Sequence, residues 1–157
     1  MMTLTSTQIG QLVAQFFLAG AGTLSFAVLF ACPKRTLPCC ALVGAVGWFV
    51  YELAVLYGAD AAAASLIAVI PLSLAARICA VLLKTPVTVF LLTGIFPLVP
   101  GAGIYYTAYY FLQGEQELFA SKGGETFKVA LALALGIALI CSLPLPGGHE
   151  KIKRPSP

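Results

Sequence analysis

Apolar residues fall along this chain in long runs set apart by short polar links. Five runs stand out, over 9–31, 37–57, 61–83, 86–112 and 127–143. A hydrocarbon core ~30 Å thick is crossed by about 20 apolar residues in a helix, so each run predicts one membrane span. The links cover 32–36, 58–60, 84–85 and 113–126, and a polar tail occupies 144–157. The expected architecture is all-α: a polytopic transmembrane bundle of about five spans, forming one domain over 1–143, with the tail in the cytoplasm.

Composition agrees. Of 157 residues, 60% are hydrophobic and 10% charged, against about 25% charged in a soluble domain. A small soluble fold buries only about two-thirds of its surface and could not hide so much apolar material. A soluble domain, a disordered tail and a secreted disulfide knot are excluded. The first run imitates a signal peptide, but no basic segment precedes it and its apolar length is too great, so it is read as a retained helix.

Nine Lys and Arg stand against six Asp and Glu, a net charge of +3 with no clustered basic face for nucleic acid. With five spans, Lys34, Arg35, Lys84, Lys151, Lys153 and Arg154 fall on one side, with Arg77 nearby. Asp60, Glu115, Glu117 and Glu125 fall on the other, with Lys122 and Lys128. Cytoplasmic loops carry the excess of Lys and Arg, which places the N-terminus outside and the C-terminus in the cytoplasm. Fusing the second and third runs into one hairpin would give four spans and scramble this asymmetry.

The five cysteines, Cys32, Cys39, Cys40, Cys79 and Cys141, lie in or beside apolar runs without a CxxC pair and read as buried thiols. Ala41 with Ala45, and Ala130, Ala134 and Ala138, recur at the small-xxx-small spacing that lets membrane helices approach. Homo-oligomers through these faces remain open.

The fourth run carries the chemistry. Pro97, Pro100, Gly101 and Gly103 fall at its centre, where proline removes a backbone donor and turns the preceding residue away from helical angles. The run is expected to break near mid-membrane, with a second half-helix starting at Pro100 or Gly101. Irregular backbone at that depth is tolerated only inside protein or beside a polar cavity. Half-helix amides at such a break attract anionic groups, so a carboxylate-bearing substrate is the natural guest. A plain proline kink is the competing reading.

Arg77 lies ~10 Å above the cytoplasmic end and the break ~17–21 Å above it, at 1.5 Å per residue. Arg77 either lines the cavity, pairing with the substrate carboxylate or with freed carbonyls, or snorkels to the interface. Glu52 is read as a proton-coupling carboxylate or, preferentially, as a side chain reaching the outer surface. Tyr105 and Tyr106 follow the break closely enough to wall the site, while the wider group with Tyr109, Tyr110 and Phe111 forms an interfacial belt.

Enzymatic readings fare poorly. His149 is the sole histidine and lies in the tail, and Asp60 is the sole aspartate. No catalytic triad, histidine metal site or paired-aspartate centre can form in the membrane, and no glycine-rich phosphate loop is present. Neither metal nor cofactor is expected.

Thr85-Pro86 followed by Phe96-Pro97-Leu98-Val99-Pro100-Gly101 and a nearby tyrosine, together with Phe30-Ala31-Cys32-Pro33-Lys34-Arg35 leading into Cys40-Ala41-Leu42-Val43-Gly44, resembles the threonine/serine exporter family, specifically its small, ThrE-type second-domain subunit. Arg77 also has a counterpart there. The resemblance implies a bacterial inner-membrane exporter of small carboxylated metabolites, threonine and serine or dicarboxylates such as succinate. It also implies a larger membrane subunit of the same family as partner. The expected substrate-binding residues are Arg77, Pro97, Pro100, Gly101, Gly103, Tyr105 and Tyr106. The alternatives are an uncoupled small-solute channel and a non-transporting assembly or stability subunit.

Overall fold

The computed structural model describes residues 6–143; the tail with His149, Lys151, Lys153 and Arg154 lies outside the described residues. The chain is all-helical: α1 Ser6–Leu29, a 3-10 turn Lys34–Thr36, α2 Leu37–Leu56, α3 Ala61–Leu83, α4 Val87–Gly94, a 3-10 turn Phe96–Leu98, α5 Gly101–Gln113 and α6 Gln116–Ser142. Four helices are long and apolar enough to cross a membrane by themselves, and the bent pair 87–98 and 101–113 makes up to five.

Four helices stop in the same way. After α1, α2, α3 and α5 the chain enters the left-handed region at Ala31, Gly58, Lys84 and Gly114. The next amide then reaches back to a carbonyl five residues earlier: Cys32 to Ala27, Ala59 to Ala54, Thr85 to Ala80 and Glu115 to Tyr110, at 3.0–3.1 Å. This pairing satisfies carbonyls that the helix end would leave bare. Pro33 and Pro86 then forbid continuation.

α2 and α3 form the centre, with α1 against α2, α6 against α3, and α4 seated on both α2 and α3. Val43, Ala68, Val69, Leu72, Ala76 and Phe90 are fully buried between them. Approach is close enough that a Cβ at Gly44 would strike the Thr23 side chain and one at Gly136 would strike Val69. Large apolar side chains such as Phe17, Leu18, Leu82 and Leu112 face outward, as a lipid-facing surface requires. Ala45 packs in this interior beside Gly20, whereas Ala130 and Ala134 line an open groove.

The first and third links meet at one end of the bundle, where the Arg35 guanidinium donates to the Thr85 hydroxyl at 3.5 Å. Lys34, Arg35 and Lys84 thus share that end. There too the Cys79 thiol lies near Cys39 and Cys40, and Cys32 lies near Cys40. Burial, then its Cys40 neighbour, pushes the Cys32 thiol above its ordinary value, which favours the protonated form at neutral pH.

The last helix differs from the apolar pattern. It begins at Gln116, eleven residues before the run at 127, so only Gly114 and Glu115 separate α5 from α6. Polar residues make good helix here: Glu117 sits in the first turn, and Lys122 bonds Glu125 one turn on at 2.8 Å, both favourable on an exposed helix. Hydropathy finds only the part that lipid would solvate.

Candidate functional site: a broken helix between two cavities

The break assembles from its two prolines. Pro97 has no amide to offer the Thr93 carbonyl and Pro100 none for Phe96, so the α-helical ladder stops. The chain tightens into a 3-10 turn through Leu98 N–H to Ile95 O at 2.8 Å and Val99 N–H to Phe96 O at 3.3 Å. Val99 is then extended, and Pro100 at φ −76°, ψ 60° makes an inverse γ-turn closed by Gly101 N–H to Val99 O at 2.7 Å. α5 starts when Ile104 donates to the Pro100 carbonyl at 3.0 Å. The amides of Ala102 and Gly103 precede that bond and have no partner in the helix. The two halves meet at 58°.

The break has two faces. Phe96 and Pro97 face a chamber of about 250 Å³ walled by Gln15, Ala19, Gly22, Phe26 and Trp48. Gln15 and Trp48 lie near the middle of α1 and α2, which puts the break at mid-bundle. Val99 and Pro100 face the opposite way, into an open, almost wholly apolar groove of about 890 Å³ between α5 and α6.

A third pocket, of about 360 Å³, gathers Pro100, Ala102, Gly103 and Tyr106 with Lys122, Glu125 and Thr126 of α6. Three of the expected residues, Pro100, Gly103 and Tyr106, therefore meet. Gly103 has a packing reason: a Cβ there would fall on the Thr126 hydroxyl. One turn on, Thr107 sits against Gly123, so glycine and threonine alternate across the α5–α6 seam. Gly101 is different. A Cβ there meets nothing within 4 Å, and its backbone lies open beside the unpaired amides.

Pro97 faces the chamber on the α1 side. Tyr105 is 64% exposed, meets Tyr106 edge-on, stacks on Tyr109 and walls none of these cavities. Arg77 lies at the far end of α6, where its guanidinium donates to the carbonyls of Ile140 and Leu143. The structure does not bring it to the break. The cation that does reach the third pocket is Lys122, ion-paired there with Glu125 at 2.8 Å; its exposed position in a polar link gave sequence reasoning no reason to choose it. Gln15 and Trp48 were missed as well, joined by an indole N–H to amide oxygen bond of 3.0 Å. The available signal was Gln8, Gln11 and Gln15 at i, i+3 and i+7, one polar stripe on an apolar helix.

An all-helical membrane bundle with one span broken at its middle, bare amides at the second half-helix and cavities on both faces is the architecture of a transport protein. The chain belongs to the threonine/serine exporter (ThrE) family, whose profile matches residues 15–143. That is a transporter family, not an enzyme family. No curated protein and no solved structure matches the chain.

Proposed function

We propose that this chain is the small subunit of a secondary exporter of small carboxylated metabolites, threonine and serine or dicarboxylates such as succinate, acting with a larger membrane subunit of the same family. The observation carrying the reading is the 58° break between Leu98 and Gly101. The substrate carboxylate docks on the amides of Ala102 and Gly103 beside open Gly101, where the half-helix dipole favours negative charge; Lys122 across the pocket adds its charge only on leaving Glu125. Pro97 and Pro100 hold the break, Gly103 seats α5 on α6, and Tyr105 and Tyr106 flank the entrance. Arg77 would serve the anion only on releasing the α6 carbonyls. Alternating access comes from rocking of this bundle against its partner, with the N-terminus outside and the C-terminus in the cytoplasm of an inner membrane. The exposed apolar face of α5 and its groove with α6 fit a partner helix.

The test is co-reconstitution of both subunits in proteoliposomes with counterflow of labelled threonine and succinate. Trans-acceleration that disappears when Pro97 and Pro100 are both changed to Ala supports the exporter. Flux without trans-acceleration identifies a channel. Unaltered substrate affinity with loss of partner abundance in that variant identifies an assembly subunit.

A further inference from the structure

On the far side of the Gln15–Trp48 bond from the break lies a cavity of about 320 Å³ that the exporter mechanism above does not use. Its polar wall is made by Gln8, Gln11 and Gln15 of α1 and Glu52 of α2. The three glutamines fall on one stripe of α1, and Glu52 stands one turn beyond Trp48 on the same face of α2. An ionisable side chain within a span costs at least ~2.5 kcal/mol when it has neither partner nor water. Half-buried Glu52 makes no ion pair or hydrogen bond with the described residues. Its carboxylate is directed into company that can help hold a guest: amide oxygens that accept and amide N–H groups that donate.

We propose that this vestibule binds a primary ammonium group, the amino end of an amino-acid substrate, and that the Gln15–Trp48 bond is the partition between it and the chamber at Pro97. An ammonium brings three donors; Glu52 supplies the charge and one acceptor, and glutamine oxygens supply the rest. An anion would be repelled by Glu52, an apolar guest would strand the amides, and a divalent cation asks for six or more oxygen ligands where one carboxylate stands. The volume is about ten times a water's ~30 Å³ share of the liquid, room for a small metabolite. Gln15 walls both the vestibule and the chamber, so a guest drawing on its oxygen competes with the Trp48 indole. The proposal depends on the exporter reading for the owner of the ammonium group and not for the site.

Trp48 is the only tryptophan in the chain, so its fluorescence reports on this partition alone. The purified full-length chain in detergent is titrated with threonine methyl ester (ammonium without carboxylate), 3-hydroxybutyrate (carboxylate without ammonium) and sodium chloride. A saturable change with the ester and none with sodium chloride is expected. Glu52→Gln weakens the ester's apparent affinity at least about tenfold, the loss of a charge-assisted hydrogen bond, and Glu52→Asp recovers part of it. No saturable response to the ester, an equal response to sodium, or an unshifted curve in correctly folded Glu52→Gln overturns the proposal. The 3-hydroxybutyrate arm is the selectivity control: Glu52 repels a carboxylate, so no saturable response is expected, and one equal to the ester's overturns the proposal. The exporter reading fails separately, in the counterflow assay, which does not depend on this vestibule.

Discussion

The two halves of the broken span differ in sequence, α4 being almost wholly apolar and α5 carrying four tyrosines, and they live in different surroundings. α4 is wedged on α2 and α3, with Phe90 at 0% and Thr93 at 1% exposure, and a Cβ on Gly94 would strike Val43. α5 has no buried residue and rests mainly on α6. The prolines therefore do more than bend a rod. They separate a half fixed in the bundle from a half that leans on a single neighbour, and the bare amides lie at the boundary. A site at such a joint has one wall held by the core and one wall carried by the α5–α6 hairpin.

The strongest way to break this comparison is to damage each half equally. Phe90→Ala removes a fully buried ring and is expected to lower stability by about 3–5 kcal/mol, whereas Ile104→Ala on α5 stays within about 0.5 kcal/mol. Thermal unfolding of the two variants in the same detergent measures the difference. Equal losses would show that α5 is as deeply integrated as α4.

Arg77→Gln comes next. It deprives the carbonyls of Ile140 and Leu143 of a charged donor, and hydrogen bonds to charged groups contribute about 1.5–3 kcal/mol. The expected loss is about 2 kcal/mol, with Arg77→Lys recovering part. Since α6 carries α5, proteolytic sensitivity of the α5–α6 hairpin should rise in parallel. A variant of unchanged stability that loses only succinate affinity would return Arg77 to the anion site.

Gly103→Ala follows, by driving a methyl into the Thr126 hydroxyl. Overpacking of this kind costs typically about 1–3 kcal/mol, and pairing it with Thr126→Ala, which removes the facing hydroxyl, should restore part of the loss. Additive effects in that double variant would show that the two positions do not meet.

The outline was legible because lipid imposes it. Run lengths gave the spans, Pro97 with Pro100 gave the break, and Lys34, Arg35 and Lys84 gave the shared end. The start of α6 was hidden because Gln116 to Thr126 is polar, and a helix stabilised by Lys122–Glu125 leaves no hydropathy signal. Helix depth brought Arg77 within nominal reach of the break, but rise along one helix says nothing about azimuth, and its guanidinium faces α6. Pro100, Gly103 and Tyr106 fall in register because all three ride on the start of one helix. Lys122 and Thr126 come from α6, and only the antiparallel seam of Gly103 with Thr126 and Thr107 with Gly123 brings them across.

The smallest structural effect is the most informative. Gly101→Ala puts its methyl where nothing lies within 4 Å, and the first helical position favours alanine over glycine by about 0.4–1 kcal/mol through the unfolded chain. Unfolding temperature should therefore hold or rise slightly. The same methyl stands beside the amides of Ala102 and Gly103, where the proposed carboxylate would have to approach within hydrogen-bonding distance. Succinate counterflow should then need more substrate for half-maximal rate, by about tenfold if one charge-assisted hydrogen bond is lost. Every other substitution at the joint alters folding and function together. This one divides them: a stable protein with weakened anion binding places the guest on the amides, and a stable protein with unchanged affinity leaves the break as a hinge alone.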